Sequence, residues 1–301
     1  MPITLSSINI ARAVTAALDD YRNKPGQFVA DYVAPVVDAP ERSGYMPKFQ
    51  NTHMKIQDYS VTLDGPAHKV DIGTTNTAYN CVDHSAEAHL TNRMIKSDTS
   101  GLLKAGNLAT LVDEGMRLQR ENEVAVALLA VSSTSAPTTK WNVSGGSAPK
   151  DIATKQATIH GLINRIPEYG LCTVDVGLEL RVLCGLANGR QTSDLPNMET
   201  VAAWLGLKEL RMAYASYDST KPGKTTSFST LFSTKGFWLF HKPEVMDSSL
   251  PCFMATPRFA ELSQPRVYPL AQPEGFGIEV NDCYDLVSVD GNACHYFTAV
   301  I

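Results

Sequence analysis

Residues 98–131 read as one continuous helix, and no other feature constrains the fold of this chain as strongly. Asp98, Thr99 and Ser100 offer N-caps. Leu102, Ala105, Ala109, Val112, Met116, Leu118 and Leu128 fall near one broad face. The centre is polar and charged (Arg117, Gln119, Arg120, Glu121, Asn122, Glu123), and the end is apolar from Val124. About thirty helical residues span about 45 Å. A helix that long in a chain of 301 residues is a strut. Its end is expected to be buried and its polar middle partly exposed.

The elements before the strut are thin. Residues 1–27 form an arm in which Ile3, Leu5, Ile8, Ile10, Val14 and Leu18 keep no single period, with a short helix expected from Ile8 to Tyr21. Phe28–Val37 is β-branched and aromatic, and reads as an edge strand interrupted by Pro35. Gly44–Phe49 is an extended entry to residues 50–80. There Tyr59, Val61 and Leu63 alternate with polar residues, Asp64-Gly65-Pro66 supplies a turn, and Val70 and Ile72 resume the alternation. A two-stranded ribbon with so few large apolar groups is marginal alone in water and has to lie on something else.

Beyond the strut, 132–149 is linker-like around Trp141. A helix is expected from Asp151 to the stop at Pro167, then a strand over Leu171–Val176 and helices over Gly177–Asn188 and Asn197–Leu205. Strands are expected over Leu207–Ser216 and Ser227–His241, around the polar loop Tyr217–Thr226. Pro251, Pro257, Pro265, Pro269 and Pro273 make the next segment irregular. The tail, Glu279–Val289 and Ala293–Ile301 around Asp290-Gly291, reads as a hairpin.

Composition excludes several classes. With 26 Lys and Arg against 31 Asp and Glu the net charge is −5, so bulk charge does not hold this chain to nucleic acid. No apolar run approaches a membrane span, and the N-terminus lacks the pattern of a secretory signal. The six scattered cysteines contain no C-x-x-C pair and read as reduced, buried thiols. Gly223-Lys224-Thr225 lacks the earlier glycine of a phosphate loop and reads as a solvated loop tip. His84, Glu87 and His89 have the wrong spacing for a helical zinc pair and read as a turn before the strut. No G-x-S-x-G elbow occurs. No cofactor or metal is called for. An arm, a ribbon and a long strut are surfaces a lone monomer cannot satisfy, so the expected partner is a second copy of the chain.

In this order the parts resemble the major capsid proteins of tailed bacteriophages. Phe28–Val37 followed by Gly44–Phe49 resembles the entry to that family's extended hairpin loop. Leu111–Leu129 resembles the distal half of its spine helix, through Arg117, Arg120, Glu121 and Ala125. Trp141 and Ser147–Ile152 resemble its step into the axial domain. The resemblance covers nearly the whole chain and implies an α+β fold. It implies an arm at 1–27 and a hairpin loop at 50–80. A peripheral domain would comprise 28–49, 81–144 and 279–301 with the spine helix 98–131, and an axial domain 145–278. It further implies a non-enzymatic subunit of hexamers and pentamers in an icosahedral shell that encloses double-stranded DNA. The arm would reach another subunit. Scaffolding, portal and decoration proteins would be separate partners, and the protein would be assembled in the host cytoplasm and located in the virion. Contacts between subunits are expected at Tyr59, Val61, Leu63, Val70, Ile72, Arg117, Arg120 and Glu121. Lys48, Lys55 and Lys69 read as surface lysines. The alternatives are an encapsulin-like compartment shell or a soluble α/β enzyme using Asp175, Glu179 or His160.

Overall fold

A computed structural model describes residues 28–49, 60, 68, 73–97, 105–189, 195–220, 225, 227–232, 234–243, 252–262, 265–271 and 274–301. The arm, most of the ribbon between 50 and 72, and residues 98–104 of the expected strut lie outside them.

In chain order the elements are α1 (Ala30–Val33), β1 (Val36–Asp38), β2 (Ser43–Phe49), β3 (Thr74–Asn80), β4 (Val82–Thr91), α2 (Asn92–Ser97), α3 (Ala105–Leu129) and β5 (Thr134–Ser135). Then follow α4 (Ala148–Ile163), β6 (Tyr169–Thr173), α5 (Val174–Ala187), α6 (Met198–Trp204), β7 (Glu209–Ala213), β8 (Ser216–Asp218), β9 (Phe228–Thr230) and β10 (Phe237–Phe240). The chain closes with β11 (Met254–Arg258), β12 (Arg266–Ala271), β13 (Glu274–Tyr284), β14 (Val287–Ser288) and β15 (Cys294–Phe297).

Two sheets organise these elements. A five-stranded sheet has the order β5-β15-β10-β6-β7. Its central strand β10 reads Phe-Trp-Leu-Phe and is fully buried, as a strand covered on both faces must be. Successive side chains face opposite sides. Phe237 therefore meets Trp141 beside α4, while Trp238 donates its indole N–H to the Leu128 carbonyl at the end of α3 (3.1 Å). That bond satisfies one of the orphan acceptors of a helix end. A six-stranded sheet has the order β1-β11-β13-β12, with β14 on β11 and β4 on β13. Ile278 and Val280 of β13 pack with Ala109, Val112 and Met116 of α3. The same helix therefore buries its first half on one sheet, and Val124 and Leu128 on the other. This explains its length: it ties two cores together.

Several expectations are corrected. Phe28–Val37 is not one strand. Ala30–Val33 turns into a helix because Glu121 caps its first N–H groups, and Pro35 then returns the chain to the extended β1. His84-Ser-Ala-Glu-Ala-His89 is not a turn but the middle of β4, where small alanines alternate on the face under the helix. The C-terminal segments do not form a hairpin. Asp290 instead caps a tight 3-10 turn by accepting from Asn292 N (3.1 Å), and the chain switches sheets so that β15 pairs with β10. The residues 293–301 expected in the peripheral unit thus begin in the five-stranded sheet. β11 and β12, expected within the axial unit, belong to the six-stranded sheet. The prolines did not prevent these strands: Pro269 sits in β12, at the end of the sheet order. Helix α4 ends at Ile163, before Pro167, because Asn164 takes a left-handed conformation (φ 52°).

Candidate assembly surfaces

The first expected contact surface was the polar centre of the long helix, which is partly exposed: Gln119 and Asn122 face outward, while Glu121 is buried. Glu121 has no exposed surface. It accepts from Val29 N (3.0 and 2.9 Å) and Ala30 N (2.7 Å). Burial pushes its carboxyl up to about 7, against the lowering effect of those N–H groups. Within the chain Glu121 is thus a buried cap on α1. Arg120 pairs with Asp31 (2.8 Å) and donates to Ala34 O (3.3 Å) and Thr256 Oγ1 (3.1 Å). Arg117 pairs with the buried Asp113 one helical turn earlier (3.0 Å). These are contacts within the chain. With Arg258 and Asp282, themselves paired at 2.7 Å, they ring a cleft of about 120 Å3.

The second surface is the ribbon. β2 and β3 pair antiparallel from Ser43 opposite Asn80 to Phe49 opposite Thr74. Met46 and Tyr79 are buried, and they root the ribbon in a small core with Cys81, Ala255 and Cys283. Gly44 is needed there, because a Cβ would lie 2.8 Å from the Tyr79 hydroxyl. Tyr79 donates to Glu41 O (3.3 Å), Asn80 N donates to Asp285 Oδ2 (2.8 Å), and Arg42 pairs with Asp83 (2.7 Å). Beyond this root the strands lie exposed, with Tyr45 at 69%. Tyr59, Val61, Leu63, Val70 and Ile72 lie outside the described residues.

A third surface escaped the sequence reading. β8 and β9, at the two ends of the expected polar loop 217–226, pair antiparallel and carry Phe228 (73% exposed) and Tyr217 (39%) on opposite faces. Asp218 Oδ1 accepts from Thr220 N, Thr220 Oγ1 and Ser227 N and so closes the turn, which holds its carboxyl below the usual range. The signal in the sequence was an aromatic residue on each side of a polar stretch containing Pro222 and Gly223.

The groups an enzyme would need are dispersed. Asp175 and Glu179 lie at the start of α5 and His160 near the end of α4, and none lines the cleft at α3. His84 lies on the opposite face of β4 from Glu87 and His89. Among the described residues no group of three or more His, Cys, Asp or Glu could hold a metal ion, and no helix is long and apolar enough to cross a membrane. All six cysteines are buried and none forms a disulfide. His295 is a satisfied core histidine. Its ring nitrogens meet Ser133 Oγ and Ser135 Oγ, both at 2.8 Å, and burial lowers its pKa to about 4.

No family model matches the chain, and no curated protein matches it in sequence. Solved structures do match its fold. A phage-related protein from Bordetella bronchiseptica RB50 superposes with a TM-score of 0.71 at 14% identity, covering 96% of each chain. The capsid of Myoviridae phage XM1 gives 0.52 at 12% identity, covering 87% of this chain and 89% of that one. The SrpI encapsulin of Synechococcus elongatus PCC 7942 gives 0.51 at 10% identity, covering 92% and 88%. The chain thus has the α+β fold of tailed-phage capsid proteins, which encapsulin shares.

Proposed function

We propose that this chain is the structural subunit of a closed icosahedral shell, a major capsid protein that forms hexamers and pentamers around double-stranded DNA. The observation that carries the reading is the ribbon. Seven residue pairs form a two-stranded ribbon rooted at Met46 and Tyr79, and Thr74, Thr75 and Asn76 beyond that root are exposed. Such a ribbon gains stability by lying on a neighbouring copy. Tyr59, Val61, Leu63, Val70 and Ile72 would supply that contact. The unit built on the five-stranded sheet would meet its copies around the local axis, with the aromatic β8–β9 hairpin as part of the seam. The net charge of −5 suits an inner wall that encloses DNA without gripping it. Scaffolding, portal and decoration proteins would be separate chains, with assembly in the host cytoplasm and a final place in the virion. The likeness to the Synechococcus encapsulin favours a second reading, a cellular compartment shell.

Deleting residues 50–72 tests the ribbon's role. The variant is expected to keep its circular dichroism and melting temperature but to form no closed particles in negative stain. Normal shells from this variant would overturn the assignment. Nuclease-protected double-stranded DNA inside wild-type particles would favour the capsid reading, and a co-purifying cargo protein without DNA the compartment.

A further inference from the structure

A second pocket, of about 280 Å3, opens between α1 and one end of the five-stranded sheet, where β6 and β7 begin and β10 has just finished. Lys242, two residues past β10, lines it. Its Nζ lies 4.1 Å from the centre of the Tyr32 ring and 4.6 Å from that of Tyr169. Both rings are buried and pack on Phe240, and the Tyr32 hydroxyl is shared between the Gly170 and Glu209 carbonyls at 3.0 Å each. Two fixed aromatic faces therefore hold the ammonium in place. They give its three N–H donors no acceptor, and Lys242 makes no ion pair among the described residues.

The carboxylates of the pocket wall are already engaged. Asp31 pairs with Arg120 (2.8 Å) and Glu209 with Arg211 (2.6 Å), and Arg211 also lies over the Tyr32 ring at 4.5 Å. Lys208 brings a second ammonium to the wall. The lining groups and their partners thus set Lys208, Lys242, Arg120 and Arg211 against Asp31 and Glu209, an excess of positive charge. Burial disfavours the charged form of Lys242, as do Arg211 and Lys208, and Glu209 favours it.

We propose that this pocket binds a small doubly charged oxyanion, inorganic phosphate in the first instance, with Lys242 as the principal ligand and Lys208 in support. A dianion offsets the excess charge and supplies the acceptors that the ring faces lack. A concave wall of low dielectric strengthens that attraction relative to a lysine on open surface. The site lies within one chain, so it holds whether or not the chain builds shells.

Protection from labelling tests it on the full-length chain. A limiting amount of an amine-directed acetylating reagent is added in mildly alkaline buffer, and each lysine is read by peptide mass spectrometry. Millimolar inorganic phosphate, against chloride at equal ionic strength, should slow acetylation of Lys242 severalfold and leave Lys155 on α4 unchanged. Calorimetric titration of phosphate should saturate, and Lys242→Gln should weaken it about tenfold or more, as loss of a charged hydrogen-bond donor does. Unchanged labelling of Lys242 would overturn the proposal, and this arm needs no variant. Equal slowing at Lys155 would overturn it too, because the effect would then be one of salt. So would undiminished phosphate affinity in Lys242→Gln, or protection by a short DNA duplex but not by inorganic phosphate.

Discussion

Arg120 carries the clearest consequence at the scale of single residues. Its guanidinium is held by Asp31, Ala34 O and Thr256 Oγ1, with its side chain 12% exposed. Arg120→Glu would leave three carboxylates, including Glu121 and Asp31, around a site built for a cation. Asp31 is 61% exposed and screened by solvent, so the cost comes mainly from seating a carboxylate against the Ala34 and Thr256 oxygens, about 1–3 kcal/mol. The variant is therefore expected to melt several degrees lower as an unassembled chain, read by thermal denaturation; an unchanged melting temperature with lost assembly would restore the inter-subunit role first expected. His295 sets a second dependence. Its folded pKa, about 4, lies below the ordinary 6.5, so its contribution is present above about 6.5 and is lost as pH falls through 4. Urea midpoints should decline over that window, and His295→Gln should flatten the decline. An equally steep decline in the variant would assign acid sensitivity to other groups.

Elements differ in how far the sequence revealed them. The long helix was legible because its 3.6-residue period persists over many turns, and what it lacked was the identity of its two partners. β4 was missed because Ala86 and Ala88 are weak strand formers, and the pairing with β13 overrides their preference. α1 was missed because its cap lies 91 residues away in the sequence. The tail misled because Asp290-Gly291 closes a 3-10 turn as readily as a hairpin. Of the candidate contacts, Arg117, Arg120 and Glu121 all have partners within the chain, and Glu121 has no exposed surface. Sequence shows that charge is present mid-helix, not which side it faces. Two glycines test the packing of these elements. At Gly275 a Cβ would meet the Leu90 carbonyl at 2.2 Å, a backbone atom that cannot swing aside. Gly275→Ala should push β13 off β4 and cost about 2 kcal/mol or more. Gly161, in α4 with nothing within 4 Å, should gain about 0.5–1 kcal/mol when changed to Ala. Denaturant unfolding reads both, and equal effects would contradict this account of the β4–β13 contact.

At the scale of the whole molecule, one helix couples two sheets that carry different outward features. The ribbon leaves the side of the six-stranded sheet, and the aromatic hairpin follows β7 of the five-stranded sheet. On the proposed function, rigid coupling of these two features would let one subunit hold a fixed angle to its neighbours, which closure of a shell requires. Self-assembly is thus the central claim, and electron microscopy of the purified full-length chain in negative stain tests it most directly. Uniform hollow particles, or rings of five and six subunits, are the predicted result. Monomers or dimers alone, at high concentration and across a range of salt and pH, would contradict it.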